Sequence, residues 1–88
     1  MMDKKYFTYV LRSLSSGKLY IGQTNNLEKR LLAHNKGFSP YTKGRGPWTM
    51  VYHEEFKTRS EAIKRERYFK TGKGRGFIKN ILAQRKSD

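Results

Sequence analysis

Cysteine is missing from this sequence altogether, which excludes disulfides, a thiol nucleophile and any thiolate zinc centre. Its two histidines are too few to complete a structural zinc site by themselves. No apolar run approaches the roughly 20 residues needed to cross a bilayer. The opening Met1-Met2-Asp3-Lys4-Lys5-Tyr6 has no hydrophobic signal region. The expectation is a cytoplasmic chain that engages no membrane. Acidic residues are scarce as well: 7 Asp and Glu face 20 Lys and Arg, leaving a net charge of +13. At 88 residues the chain supports one core and no second lobe. We therefore expect a single domain over 1–88, with an ordered core of about 5–84 and its activity on the surface. A hydrophobic fraction of 35% with 14% aromatics argues for a folded domain in spite of the charge.

The run Tyr6-Phe7-Thr8-Tyr9-Val10-Leu11 is β-branched and aromatic, Ser13-Leu14-Ser15-Ser16-Gly17 breaks it, and Leu19-Tyr20-Ile21-Gly22 resumes, which predicts a β-hairpin. A loop over residues 13–16 sets Arg12 against Gly17 and Tyr9 against Tyr20, so the two phenols share a face. Asn25 with Glu28 reads as the capping box of a first helix, running to about Lys36 and ended by Gly37. Leu27, Leu31, Leu32 and Ala33 form its apolar face, and Arg30 and His34 stand one turn apart at the edge of that face. Residues 36–47 form a long, basic, turn-rich loop. Trp48–His53 predicts a third strand, and Thr58 with Glu61 caps a second helix that reaches about Lys70. Gly72, Gly74 and Gly76 interrupt the pattern before a last helix over Phe77–Ala83, with a frayed tail at 85–88. The element order is ββαβαα.

The charge is uneven: residues 57–88 hold 11 basic and 3 acidic groups, against 9 and 4 in residues 1–56. Such a surface attracts polyanions and releases counterions from nucleic acid. The expected contacts are Lys18, Lys43, Arg45, Arg65, Lys70, Lys73, Arg75 and Lys79. A solvated basic face is the plainer alternative. Glu66 lies on the apolar stripe of the second helix, with Ala62, Ile63 and Phe69. A carboxylate there is costly unless Arg30 or another cation pairs with it, or unless it holds a divalent ion. Arg30 is either a solvated or salt-bridged helix charge or, with its fork of donors, a group that grips a phosphate and stabilises a pentacovalent transition state. His34 is placed to donate to phosphate or to move a proton, or else is a hydrogen-bonded structural histidine. Tyr9 and Tyr20 are either packing residues or a proton relay, the latter only with a cation nearby.

Taken together, Tyr9, Tyr20-Ile21-Gly22-Gln23-Thr24, Arg30 ten residues beyond Tyr20, and Glu66 resemble the GIY-YIG nuclease superfamily. The likeness spans nearly the whole chain. It is closest to small stand-alone bacterial members, in which stretches like Tyr41–Trp48 and Ser60–Glu66 also recur. The resemblance implies an α+β fold: a small three-stranded, mainly antiparallel sheet flanked by about three helices. It also implies a divalent-metal-dependent DNA endonuclease, structure-selective or weakly specific, with a role in DNA repair or recombination. On this reading Tyr9 and Tyr20 are the motif tyrosines, Arg30 stabilises the phosphorane, and Glu66 holds one Mg²⁺ or Mn²⁺. His34 matches a polar position near the active site, and Gly22 and Asn80 belong to the supporting shell. Two departures stand out. The first motif reads Phe7-Thr8-Tyr9, keeping only its tyrosine, and the late asparagine has two candidates, Asn80 and Asn35. With no reader domain in the chain, branched, flapped or single-stranded DNA is the expected partner. The oligomeric state is left open, monomer included. The rival readings are a domain that binds nucleic acid without cutting it, a nuclease subunit of a larger complex, and a ribosome-bound basic protein.

Overall fold

The computed structural model describes residues 4–85; the signal-region reading at 1–3 and the tail at 86–88 lie outside them. The elements run β1 (Tyr6–Ser13), β2 (Leu19–Thr24), α1 (Leu27–Asn35), β3 (Trp48–Phe56), α2 (Arg59–Phe69) and α3 (Gly72–Arg85). Both strand pairings are antiparallel and the sheet order is β2-β1-β3. The sequence expectation of three strands in the order ββαβαα holds. No helix among the described residues is long and apolar enough to cross a membrane.

β1 is the central strand, and its alternating side chains supply both sides of the sheet. On one side Val10 and Ile21 pack with Phe69 of α2 and Ile78 of α3. On the other Tyr9, Leu11 and Trp48 pack with Tyr20, Met50 and the α1 residues Leu27 and Leu31. The sheet is thus sandwiched between α1 and the α2–α3 pair, and the site lies around its edge strand β2.

The hairpin register differs from the sequence expectation. Tyr9 pairs with Gly22, and Tyr20 with Leu11. The four-residue loop begins one position later, because Gly17 adopts φ +77°, which suits a turn and not a strand. Ser13 ends the strand and its hydroxyl accepts from the Ser15 and Ser16 amides. A shift of one residue at the loop moves the cross-strand partner by two. Side chains alternate with period two, so Tyr9 and Tyr20 still share a face, now as diagonal neighbours.

Three element boundaries also move. The N-cap of α1 is Asn26, whose side chain accepts from the Lys29 amide; the expected Asn25–Glu28 box does not form. The Thr24 hydroxyl holds the Asn26 amide and delays the helix by one residue. Leu32 points outward, 54% exposed, since a nine-residue helix buries only a narrow stripe. β3 continues three residues past His53 to Phe56, paired along β1 back to Tyr6. The largest change is α3, which begins at Gly72 and not Phe77, carrying all three glycines inside it and taking in Arg85. The Thr71 hydroxyl accepts from the Gly74 amide at its start. Gly74 sits where a Cβ would overlap the Tyr68 carbonyl oxygen, so the absent side chain lets α3 close onto the end of α2. The Thr58–Glu61 capping box of α2 forms as expected.

Candidate active site

Tyr9 stands at the middle of β1, 1% exposed, with its ring lying across Gly22. A Cβ at Gly22 would come within 2.5 Å of the phenol oxygen, so only glycine admits the ring there. Arg30 and His34, one turn apart on α1, both meet that phenol. Arg30 Nε is 3.3 Å and His34 Nε2 2.9 Å from the Tyr9 oxygen. His34 Nδ1 lies 2.8 Å from the Thr42 hydroxyl, which in turn reaches the Ser39 carbonyl at 3.4 Å.

The direction of this chain follows from its ends. Arginine can only donate and a carbonyl can only accept. Arg30 therefore donates to the Tyr9 oxygen, Tyr9 O–H donates to His34 Nε2, His34 Nδ1–H donates to Thr42, and Thr42 donates to the Ser39 carbonyl. Each donated proton is used once, the Tyr9 and Thr42 oxygens both accept and donate, and the His34 tautomer is set with the proton on Nδ1. Burial, reinforced by the nearby Arg30 charge, lowers the His34 pKa to about 4, so the imidazole is neutral at pH 7. Burial likewise pushes Tyr9 up to about 12, against the lowering effect of the Arg30 hydrogen bond. Tyr9 is thus a neutral phenol that aims a guanidinium. Arg30 is held more firmly charged than usual, first by its bond to Tyr9 and further by Tyr20.

Tyr20 is the more open of the two phenols. Its ring packs edge-on against His34 at 4.9 Å and tilted against Tyr41 at 5.5 Å between centroids. Beside it runs a shallow groove of about 280 Å³, lined by Leu19, Tyr20, Ile21, Tyr41, Lys70 and Arg75. Glu66, on α2, has a half-buried side chain whose Oε2 receives the Lys70 ammonium at 2.8 Å. Its negative charge is close enough to oppose ionisation of Tyr9. The sequence argument offered Glu66 either a partner cation, Arg30 or another, or a divalent ion; Lys70 is the side chain that pairs with it, while Arg30 turns to the Tyr9 phenol.

Among the described residues no group of three His, Asp or Glu gathers for a metal ion. One carboxylate is what this site offers. It suits a hydrated divalent cation all the same: Glu66 is a hard oxygen donor, and a cation, the Lys70 ammonium, already rests on it.

The remaining expected residues separate by position. Lys18 and Arg45 line a second concavity with Tyr41 and Trp48, Arg45 lying over the Tyr41 ring. Lys43, Lys73 and Lys79 are exposed. Arg65 is half-buried and engaged within the protein's own contacts, 2.8 Å from Glu54 and over the rings of Tyr68, Phe69 and Phe77. Asn80 is exposed on α3. Asn35, its rival, clamps Trp48 by accepting from its amide at 2.7 Å and donating to its carbonyl at 3.0 Å. That clamp anchors the loop that delivers Ser39, Tyr41 and Thr42. Sequence reasoning missed Thr42 and Ser39, because loop residues carry no periodicity; buried polar side chains in a loop show themselves only once packed.

Comparison with known proteins shows likeness in sequence and in fold. Residues 5–80 match the family described as the GIY-YIG catalytic domain. A UPF0213 protein of Bacillus pumilus is 44% identical over 72 residues, covering 81% of this chain and 72% of its own length. A UPF0213 protein of Clostridium perfringens is 49% identical over 65 residues, covering 73% of this chain and 69% of its own. Among solved structures, the solution NMR structure of a UPF0213 protein from Bacillus halodurans aligns with a TM-score of 0.53 at 26% identity. That alignment covers 88% of this chain and 84% of the other.

Proposed function

The chain belongs to the GIY-YIG family, and from that premise we propose that it is a divalent-metal-dependent DNA endonuclease acting in repair or recombination. The observation that carries the reading is that Tyr20, which faces a groove shared with Lys70 and Arg75, interacts with Arg30, while Glu66, paired with Lys70, acts electrostatically on Tyr9. A phosphodiester lying in that groove meets the guanidinium, which the Tyr9–His34–Thr42 chain holds in one orientation before substrate arrives. Arg30 then stabilises the added charge of the phosphorane, without reorganisation at the moment of reaction. Tyr20, the phenol that faces the groove, orients the attacking water. Tyr9 keeps its proton, hydrogen-bonded to His34, and acts as a positioning residue. Glu66 would hold one hydrated Mg²⁺ or Mn²⁺, whose charge neutralises the phosphate and eases departure of the leaving oxygen.

The exposed Tyr41 beside Lys18 and Arg45 supports branched, flapped or single-stranded DNA as substrate, since an unpaired base can stack on such a ring while cations follow the backbone. Cleavage of a labelled panel of branched, flapped, single-stranded and duplex DNA, with Mg²⁺ or Mn²⁺, tests the reading. Glu66→Ala and Arg30→Ala should each lower cleavage by about a hundredfold or more, the scale of removing a transition-state contact, while binding persists. Wild-type binding without cleavage under both metals would instead make this a nucleic-acid-binding module. Equal cleavage of plain duplex would remove the structural selectivity.

A further inference from the structure

The Glu66 carboxylate is not vacant: the Lys70 ammonium rests on Oε2 at 2.8 Å, one helical turn along α2. Lys70 is also the C-cap residue of α2 and lines the groove together with Tyr20, Tyr41 and Arg75. One flexible side chain therefore borders both the carboxylate and the surface where a phosphate would lie. We propose that Lys70 is a resident countercation, which holds Glu66 until a substrate phosphate draws the ammonium into the groove and leaves the carboxylate to a divalent ion.

The physical terms favour such an exchange. Lysine carries a compact charge on a four-carbon stem with three rotatable donors, so it can change partners without moving the backbone. The Lys70 side chain is 51% exposed, and an exposed i,i+4 pair is weak enough to be broken by a competing anion. A phosphate offers the ammonium an equivalent partner, and Glu66, only 21% exposed, is then a half-buried carboxylate without a countercharge and in need of a cation. Phosphate and metal thereby help each other to bind, and linkage requires that help to be reciprocal. In the absence of substrate the lysine keeps the carboxylate from recruiting metal. The inference rests on the reading of Glu66 as the metal-holding residue.

The test is Mn²⁺ titration of the full chain, followed by loss of the free-ion electron paramagnetic resonance signal. It is run with and without thymidine 3′,5′-bisphosphate, which brings phosphate but no phosphodiester to cut. Lys70→Met should bind Mn²⁺ about two- to fivefold more tightly than wild type, the factor that an exposed i,i+4 ion pair is worth. The tightening produced by the bisphosphate should be smaller in Lys70→Met than in wild type by the same factor. Lys70→Gln, which keeps polarity, should behave alike, with unfolding midpoints confirming that each variant is folded. Equal Mn²⁺ affinity in wild type and both Lys70 variants, or equal enhancement by the bisphosphate, overturns the proposal while leaving Glu66 as ligand. If Glu66→Gln binds Mn²⁺ as tightly as wild type, the metal reading itself fails and the proposal falls with it.

Discussion

At the scale of single residues, the site depends on groups whose protonation is fixed by burial. His34 is 1% exposed with both ring nitrogens engaged, and its pKa falls from 6.5 to about 4. The unfolded chain therefore takes up a proton at pH values where the native imidazole does not. That contribution to stability is fully present above about pH 6.5 and is lost progressively as pH falls toward 4, by on the order of a few kcal/mol. Denaturant unfolding at pH 7, 5.5 and 4.5 should show wild type losing stability more steeply than His34→Gln. Parallel losses would mean that the ring titrates freely in the fold. Glu54 adds a separate acid-labile contribution. Burial acts to raise its pKa, but hydrogen bonds from Arg65 and Tyr52 win and hold it below the usual carboxylate range. The comparison with His34→Gln isolates the histidine from it. Much of this scale was legible beforehand: the four-residue spacing of Arg30 and His34 put them on one object. That the object is the Tyr9 phenol, which requires Gly22 beneath it, depends on a cross-strand partner that spacing does not specify.

At the scale of elements, α3 separates local propensity from packing. Three glycines in its first five residues predict a break, because each costs about 1 kcal/mol relative to alanine in a helix. The helix forms there because Thr71 caps it and the bare Gly74 backbone seats against Tyr68 and Phe69. The glycines are not equivalent. Gly76 has nothing within 4 Å of a built Cβ, whereas at Gly74 the Tyr68 backbone occupies that space. Gly76→Ala should stabilise the protein by roughly 0.5–1 kcal/mol. Gly74→Ala should destabilise it by about 1–3 kcal/mol or more, since backbone must move. Thermal melts of the two variants check both signs, and a melting point raised by Gly74→Ala would contradict the close seating of α3 on α2. The capping box of α2 and the Gly37 stop of α1 were readable because their signals lie within four residues. The N-cap of α1 was misplaced by one residue, because the competing hydroxyl of Thr24 belongs to the preceding strand.

At the scale of the whole molecule, a net charge of +13 makes nucleic-acid binding strongly salt-dependent on the proposed reading, but the cations divide into two kinds. Arg75 borders the groove, while Arg65 is spent on Glu54 and three aromatic rings. For single-stranded DNA, Arg75→Ala should reduce the log–log salt slope by about 0.7, the value of one phosphate contact. Arg65→Ala should leave the slope nearly unchanged and lower stability instead, because Glu54 loses its partner and the rings lose a packed side chain. Binding isotherms between 50 and 200 mM salt, a range over which such slopes resolve, distinguish the two. Equal slopes for Arg75→Ala and wild type would remove the groove from the binding surface.

The sequence by itself determined the strand and helix types, their order, and the face each strand shows, because periodicity and capping are local and an even register shift preserves the face. It also supplied the candidate residues of the site, since Tyr9, Tyr20, Arg30 and Glu66 together carry the family resemblance. Tertiary structure alone decided that Arg30 turns to Tyr9, which nitrogen of His34 carries the proton, and that Arg65 serves the fold while Lys70 borders the groove. Those outcomes depend on contacts between residues distant in the chain or on how one turn of helix faces its neighbours. Burial, which no local pattern encodes, then sets whether a charge is exposed or held.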